Sequence, residues 1–413
     1  MVNVGGSLRS HCLRILVTAT LTACSGYPVV AAIDGGAIDA TARDAGADAS
    51  GRDASPIDAG VTDASPGDAR VTDAGGNVGG NDAPPDAGDT PPPDFTLGTS
   101  TLAGRAFPGD VDGARDVARF ADPVNVAYRN GSVYVADFDN HKIRLIDAAT
   151  HETSTLIAQP GFERPFGLAF ATDGTLFIST DNDQNGGHSS MSGSIWRVDP
   201  GTHTAVLVVA AIGRPRGLAV LPDGRLVATD YIHHVIELID PGTGAVSPLA
   251  GAWDQPGLVN DSGGSARFAA PYGIVVRGDG ALVLADFDNH KLRVVTPTGA
   301  VTTLTGDTPG YQDGDLATAR FRQPQAVAIA DNGDLFVTEL GNNRIRRITA
   351  TTVSTVAGNG TAGYLDHDDP LASELYGLEG IAVVPDGSML YVADGGRGEL
   401  VPFNRIRQIS RHW

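Results

Sequence analysis

Five carboxylates, Asp137, Asp230, Asp286, Glu339 and Asp394, stand at matched places along the chain. Each closes a short apolar run such as Val133-Tyr134-Val135-Ala136 or Leu390-Tyr391-Val392-Ala393. Gathered around one axis, such groups would form an acidic ring able to hold a hard divalent cation. A side chain that returns in almost every unit more readily serves a need common to all units. A carboxylate at the end of a strand is suited to accept backbone N–H groups in the turn that follows. His141 and His290 occupy one position in two copies of the same hexapeptide, Asp137-Phe138-Asp139-Asn140-His141-Lys142 and Asp286-Phe287-Asp288-Asn289-His290-Lys291. They read as turn residues on the same ground. Arg119, Arg267 and Arg320 recur in Ala-Arg-Phe triplets behind acidic, Gly-containing loops such as Asp112-Gly113 and Asp313-Gly314. The Phe is expected to pack between units, and the Arg to bond a carboxylate or carbonyl there.

One segment departs from the pattern. Thr180 stands where the other units carry an acid, and Asp181-Asn182-Asp183-Gln184-Asn185-Gly186-Gly187 follows it. Asp181, Asp183 and Asn185 place short oxygen side chains at alternating positions, which suits a tight Ca²⁺ loop. Position twelve is Ser192, where an EF-hand would need a bidentate Glu, so the competing reading is a plain polar turn. His188, His233 and His234 have no zinc-type spacing among them. There is no Gly-x-Ser-x-Gly, and the two Cys, at 12 and 24, both lie near the N-terminus. Nucleophilic catalysis therefore has no support here, and no catalytic residue is assigned.

The elements that position these residues form a repeat. Six strand openings recur, at Pro123, Pro165, Pro215, Pro271, Pro324 and Leu378, as in Pro165-Phe166-Gly167-Leu168-Ala169. Turns such as Asp173-Gly174, Asp223-Gly224 and Asn332-Gly333 follow, which are strong hairpin signals between apolar runs. A second, a third and a fourth strand complete each unit. Six units of four antiparallel strands, repeating at about 50 residues, predict an all-β, six-bladed propeller. The last unit stops after its third strand, Arg405-Ile406-Arg407-Gln408-Ile409, whereas Thr99-Ser100-Thr101-Leu102-Ala103-Gly104 matches the fourth-strand pattern. The N-terminal segment should therefore join the last blade, close the ring and protect its edges.

These residues resemble the NHL repeat, whose pattern is a Pro-x-Gly-Ile-Ala-Val strand, a Gly turn, then Tyr-Val-Ala-Asp and Asn-His-Arg-Ile. The resemblance covers residues 95–413; the second blade departs at Thr180 and the sixth carries an insertion around Gly396 to Pro402. It implies a propeller whose roles are mostly protein or nucleic-acid binding, with a minority of lyases that gather their active residues on the axis from separate blades.

Charge and address narrow these roles. The net charge of the 413-residue chain is -20, which argues against phosphate-driven nucleic-acid binding. Arg9 and Arg14 precede the apolar run Ile15–Leu21, too short to span a bilayer. Leu21-Thr22-Ala23-Cys24 resembles a bacterial lipobox, so residues 1–24 read as a lipoprotein signal with Cys24 as the lipidated residue. Ser25 after it fits outer-membrane sorting. Residues 25–94 carry 13 Asp against Arg43, Arg52 and Arg70, with Asp53, Asp58, Asp63, Asp68 and Asp73 spaced by five. That composition predicts a disordered, extended tether. The expectation is a monomeric binding module on a leash, presenting the loop-rich face to an envelope protein, a peptide or a glycan. That face would carry the repeated Arg, Asp, Glu and His residues above. The alternatives are an axial-metal lyase or lactone hydrolase and a Ca²⁺-stabilised structural surface protein.

Overall fold

The computed structural model describes residues 97–199, 201–396 and 404–410. The leader, Cys24, the tether and most of the Gly396–Pro402 insertion lie outside these residues. The described chain forms six antiparallel sheets, each with four core strands, in consecutive chain order from the axis outward in five of them. Blade one is Pro123–Arg129, Ser132–Asp137, Lys142–Asp147 and Thr153–Ile157. The inner strands of blades two to five are Pro165–Phe170, Pro215–Val220, Pro271–Val276 and Pro324–Ile329. Blade six has Leu378–Val383, Met389–Asp394 and Asn404–Ser410, and its outer strand is supplied by Gly98–Arg105. The register runs from Gly98 opposite Ser410 to Arg105 opposite Asn404, with an irregularity between Thr101 and Ala103. The expected closure by Thr99–Gly104 is thus found, one residue longer at each end.

The core lies between blades. Leu102 and Ile406 of blade six pack with Phe120, Val126 and Val133 at blade one, and Phe120, Phe268 and Phe321 are each fully buried. Burying a Phe or Leu side chain stabilises by about 1.5–3 kcal/mol, so the recurring Phe accounts for much of the blade-to-blade adhesion. The Gly of the inner strands has a steric reason. A Cβ on Gly217 would lie 2.3 Å from the Tyr272 carbonyl oxygen, and one on Gly380 would lie 2.5 Å from the Asn125 Cα. Inner strands crowd together around the axis, and only a bare backbone allows that approach.

The loops joining blades share one face with the turns between second and third strands, and they differ in length. Segments 106–122, 252–270, 306–323 and 358–377 lead into blades one, four, five and six, whereas 158–164 and 211–214 lead into blades two and three. Each long loop swings out over the edge of the blade it enters. Gly113 bridges Thr153, Ser262 bridges Ala300 and His367 bridges Thr99. In blade five the loop forms a short fifth strand, Gly314–Asp315, on Thr352–Ala357.

Candidate functional site: the mouth of the axial channel

The repeated carboxylates do not form an open ring. Asp137, Asp286 and Glu339 are fully buried and Asp394 almost so, each against a buried third-strand arginine. The pairs are Arg144–Asp137 at 2.8 Å, Arg293–Asp286 at 2.5 Å, Arg346–Glu339 at 2.8 Å and Arg407–Asp394 at 2.8 Å. The second carboxylate oxygen accepts N–H groups at the approach to the inner strand, from Ala121, Ala269, Arg322 and Gly377. In these four blades the accepted backbone groups therefore lie on the loop joining blades, not in the turn expected from sequence. Asp230 alone also accepts from its own turn, at Ile232 and His233. Burial pushes the Asp137 carboxyl up to about 7, against Asn140, Ala121 and Arg144, which pull it down.

The arginines explain the geometry. Arg144 also bonds the Val111 and Arg119 carbonyls and Asp112. Arg346 bonds Gln312, Arg320 and Asp313, and Arg407 bonds Leu365, Glu374 and Asp366. Each guanidinium thus pins a long loop to its blade. Sequence reading passed over this residue, although it follows the carboxylate by seven positions in three blades. The arginines singled out from sequence act within their own loops. Arg267 donates to the Gly264 and Ala266 carbonyls and Gln255, Arg119 to Val117, and Arg320 lies 3.8 Å from Asp307. His141 and His290 sit at positive φ, and their Nδ1 atoms accept the Arg164 and Gln323 N–H groups of the following blades. They clasp neighbouring blades together.

Blades two and three have short joints and lack the arginine. Trp196 replaces it in blade two and donates to Thr180 Oγ1 at 3.1 Å. Glu237 replaces it in blade three, and Asp230 instead meets His233 Nδ1 at 2.5 Å. Glu237 is buried with Oε2 unpartnered; burial and the nearby Asp230 push its carboxyl up to about 8.

The residues that do converge come from two columns of the repeat. The second residue of each inner strand gives Val124, Phe166, Arg216, Tyr272, Gln325 and Glu379; all but Val124 line an axial cavity of about 350 Å³. Its walls below are apolar, from Leu168, Leu218, Ile274, Val327 and Ile381. The first residue after the second strand gives a surrounding collar: Phe138, Asp181, Tyr231, Phe287, Leu340 and Gly395. Asp181 therefore belongs to an aromatic column, not to the acidic one. It is buried and takes Arg214 at 2.6 and 3.1 Å and Arg216 at 2.9 Å. Burial would raise its carboxyl, but Arg216 and Arg214 outweigh that and hold it below the usual range. Arg216 lies 4.2 Å over the Phe166 ring and 4.6 Å over Tyr231, and Tyr272 completes the group 5.2 Å from Tyr231. A boxed, desolvated cation of this kind gains about 2 kcal/mol from such rings.

The other two residues of the Ca²⁺ candidate face elsewhere. Asp183 Oδ1 accepts the Asn185 and Gly187 N–H groups of its own turn, and Asn185 is exposed. Among the described residues no three His, Cys, Asp or Glu side chains come together as a metal would require.

The sequence model of the NHL repeat matches residues 321–348, the first three strands of blade five with Arg346. The human NHL repeat-containing protein 2 is 27% identical over 296 residues, covering 58% of this chain and 40% of that protein. Protein SUPPRESSOR OF QUENCHING 1, chloroplastic, of Arabidopsis thaliana is 27% identical over 278 residues, covering 58% of this chain and 26% of that protein. The chain spans well under half the length of these relatives. Among solved structures, an auxiliary nutrient binding protein from Bacteroides thetaiotaomicron aligns with a TM-score of 0.59 at 18% identity, over 76% of each chain; this likeness concerns the fold. With its repeat and its ring closure in agreement, the chain is a six-bladed β-propeller that carries a match to the NHL repeat in its fifth blade.

Proposed function

We propose that this protein is an exported binding module, held at the bacterial envelope by a lipid on Cys24 and by the 25–94 tether. It engages its ligand at the mouth of the axial channel. The observation that carries this reading is the mouth itself. Arg216, Tyr272, Gln325 and Glu379 converge on an axial cavity that is also lined by Leu218, Ile274 and Val327, and concave sites with a few convergent polar groups are where ligands bind. A tethered module of this kind raises the local concentration of its face near the membrane. The nutrient-binding description of a protein with a similar fold agrees with a binding role.

A photo-crosslinking amino acid placed at Tyr231, beside the mouth, tests the reading in cells. The comparison is the same group at Asp223, in the turn between first and second strands on the opposite face. Adducts from Tyr231 and none from Asp223 are expected; equal labelling from both faces would overturn it.

A further inference from the structure

Three joints between blades are held by the same bond. His141 Nδ1 accepts the Arg164 N–H at 3.1 Å, His234 Nδ1 that of Ala270 at 3.0 Å and His290 Nδ1 that of Gln323 at 3.0 Å. A neutral ring that accepts at Nδ1 carries its proton on Nε2. The joint between blades six and one uses the same position with a different group. Asn404 stands three residues before Arg407, as His141 stands before Arg144, and its Oδ1 accepts the Asp122 N–H at 2.9 Å. An amide oxygen does not titrate near neutral pH, whereas an imidazole does.

His234 and His290 act on the two sides of blade four. His234 reaches from blade three to the segment that enters blade four, and His290 reaches from blade four to the segment that enters blade five. Both donors stand in the left-handed region, Ala270 at φ 50° and Gln323 at φ 52°, where a non-Gly residue persists only if its surroundings hold it. Each lies two residues before a side chain that lines the axial cavity, Tyr272 or Gln325. The Ala270 carbonyl also accepts the Phe287 N–H, which ties in the collar. Both rings are half-buried, within reach of protons from solvent. His234 lies among the charges of Asp230, Asp288, Asp254 and His233, and His290 among those of Asp288, Arg322 and Lys291. Burial outweighs the carboxylates and holds both imidazoles below the ordinary histidine range.

We propose that His234 and His290 are acid-released latches on the two sides of blade four. The neutral ring accepts a backbone N–H. The protonated ring carries N–H at both nitrogens and has no acceptor left, so Ala270 and Gln323 lose their partner and the segments they belong to open. A histidine held below its unfolded value of about 6.5 contributes stability that is complete above about pH 6.5 and is lost as pH falls below it. The joint at Asn404 stays closed. The device belongs to the ring itself and stands whether or not a ligand binds at the mouth.

Residue-resolved hydrogen exchange of the full chain between about pH 7.5 and 5 tests this. Once the intrinsic exchange rate at each pH is divided out, protection of the Ala270 and Gln323 amides should fall by up to about tenfold per pH unit below about pH 6.5, while the Asp122 amide keeps its protection. The double variant His234→Asn, His290→Asn places an amide acceptor where Asn404 has one and should hold all three amides constant across the range. Local exchange is the readout because Asp137 and Glu237, raised by burial, change global stability with the opposite sign. Constant protection at Ala270 and Gln323 in the wild type, an equal loss at Asp122, or an unchanged loss in a folded double variant overturns the proposal. If the double variant does not fold, the wild-type contrast of Ala270 and Gln323 with Asp122 decides alone.

Discussion

Blades one, four, five and six differ from blades two and three in one coupled feature. Where the loop entering a blade is long, a buried third-strand arginine ties it to the second-strand carboxylate and the loop covers the blade's outer edge. Where the joint is short, the arginine has no loop to hold and Trp196 or Glu237 takes its place. The outer edges then need other protection. In blade two Gln159 caps the Ala205 N–H and carbonyl with its side chain, leaving Val206 and Leu207 exposed. In blade three Pro248 sits in the outer strand, where a missing N–H discourages pairing. The repeat thus specifies a clamp only where there is something to clamp. The two unclamped blades supply Asp181, Arg214 and Arg216 to the mouth, and blade six adds Glu379.

The largest expected effect breaks a clamp. Arg293→Ala strands the buried Asp286 and frees the loop carbonyls, and loss of one partner of a buried pair costs about 3–5 kcal/mol. Urea denaturation would measure this, and a loss below about 1 kcal/mol, the range of a surface pair, would show that the clamps do not hold the loops. A middle-sized effect concerns the blade-three exception. Glu237 has a folded pKa of about 8 against an ordinary 4.5, so the native state binds the extra proton between these values. Its contribution is complete below about pH 4.5 and is lost as pH rises through 8, at about 1.4 kcal/mol per pH unit within that window. Glu237→Gln should make the decline in stability expected of the wild type between pH 5 and 8 shallower by about 1.4 kcal/mol per pH unit, leaving the part that the raised Asp137 contributes; parallel pH profiles would refute the assignment. The smallest effect concerns the exposed edge of blade two. Val206→Lys should change stability by no more than about 0.5 kcal/mol while reducing self-association at high concentration, read by light scattering.

Much of the fold is legible in the chain because strand period, Asp-Gly turns and the unpaired fourth-strand pattern at Thr99 are local signals. The acidic column was legible too, but its partner was not. Arg144 and Asp137 are neighbours across a hairpin, and the loop they hold arrives from a segment about 30 residues away in sequence. The Asp181 loop misled for a related reason. Its oxygen spacing suits a cation, yet register places Asp181 in the aromatic column, facing two arginines.

The sequence alone determined the repeat, the blade number, the closure and the acidic balance, since each follows from pattern, count or composition. Only the tertiary structure decided which columns face the axis and which are buried. A blade's second-strand carboxylate and its inner-strand second residue look equally chemical in a one-dimensional repeat. Pairing of the second and third strands within a blade sets the first against an arginine, and ring closure gathers the second around the channel. That convergence, which needs the close approach of inner strands at residues such as Gly217, is a property of six blades packed together and of no single one.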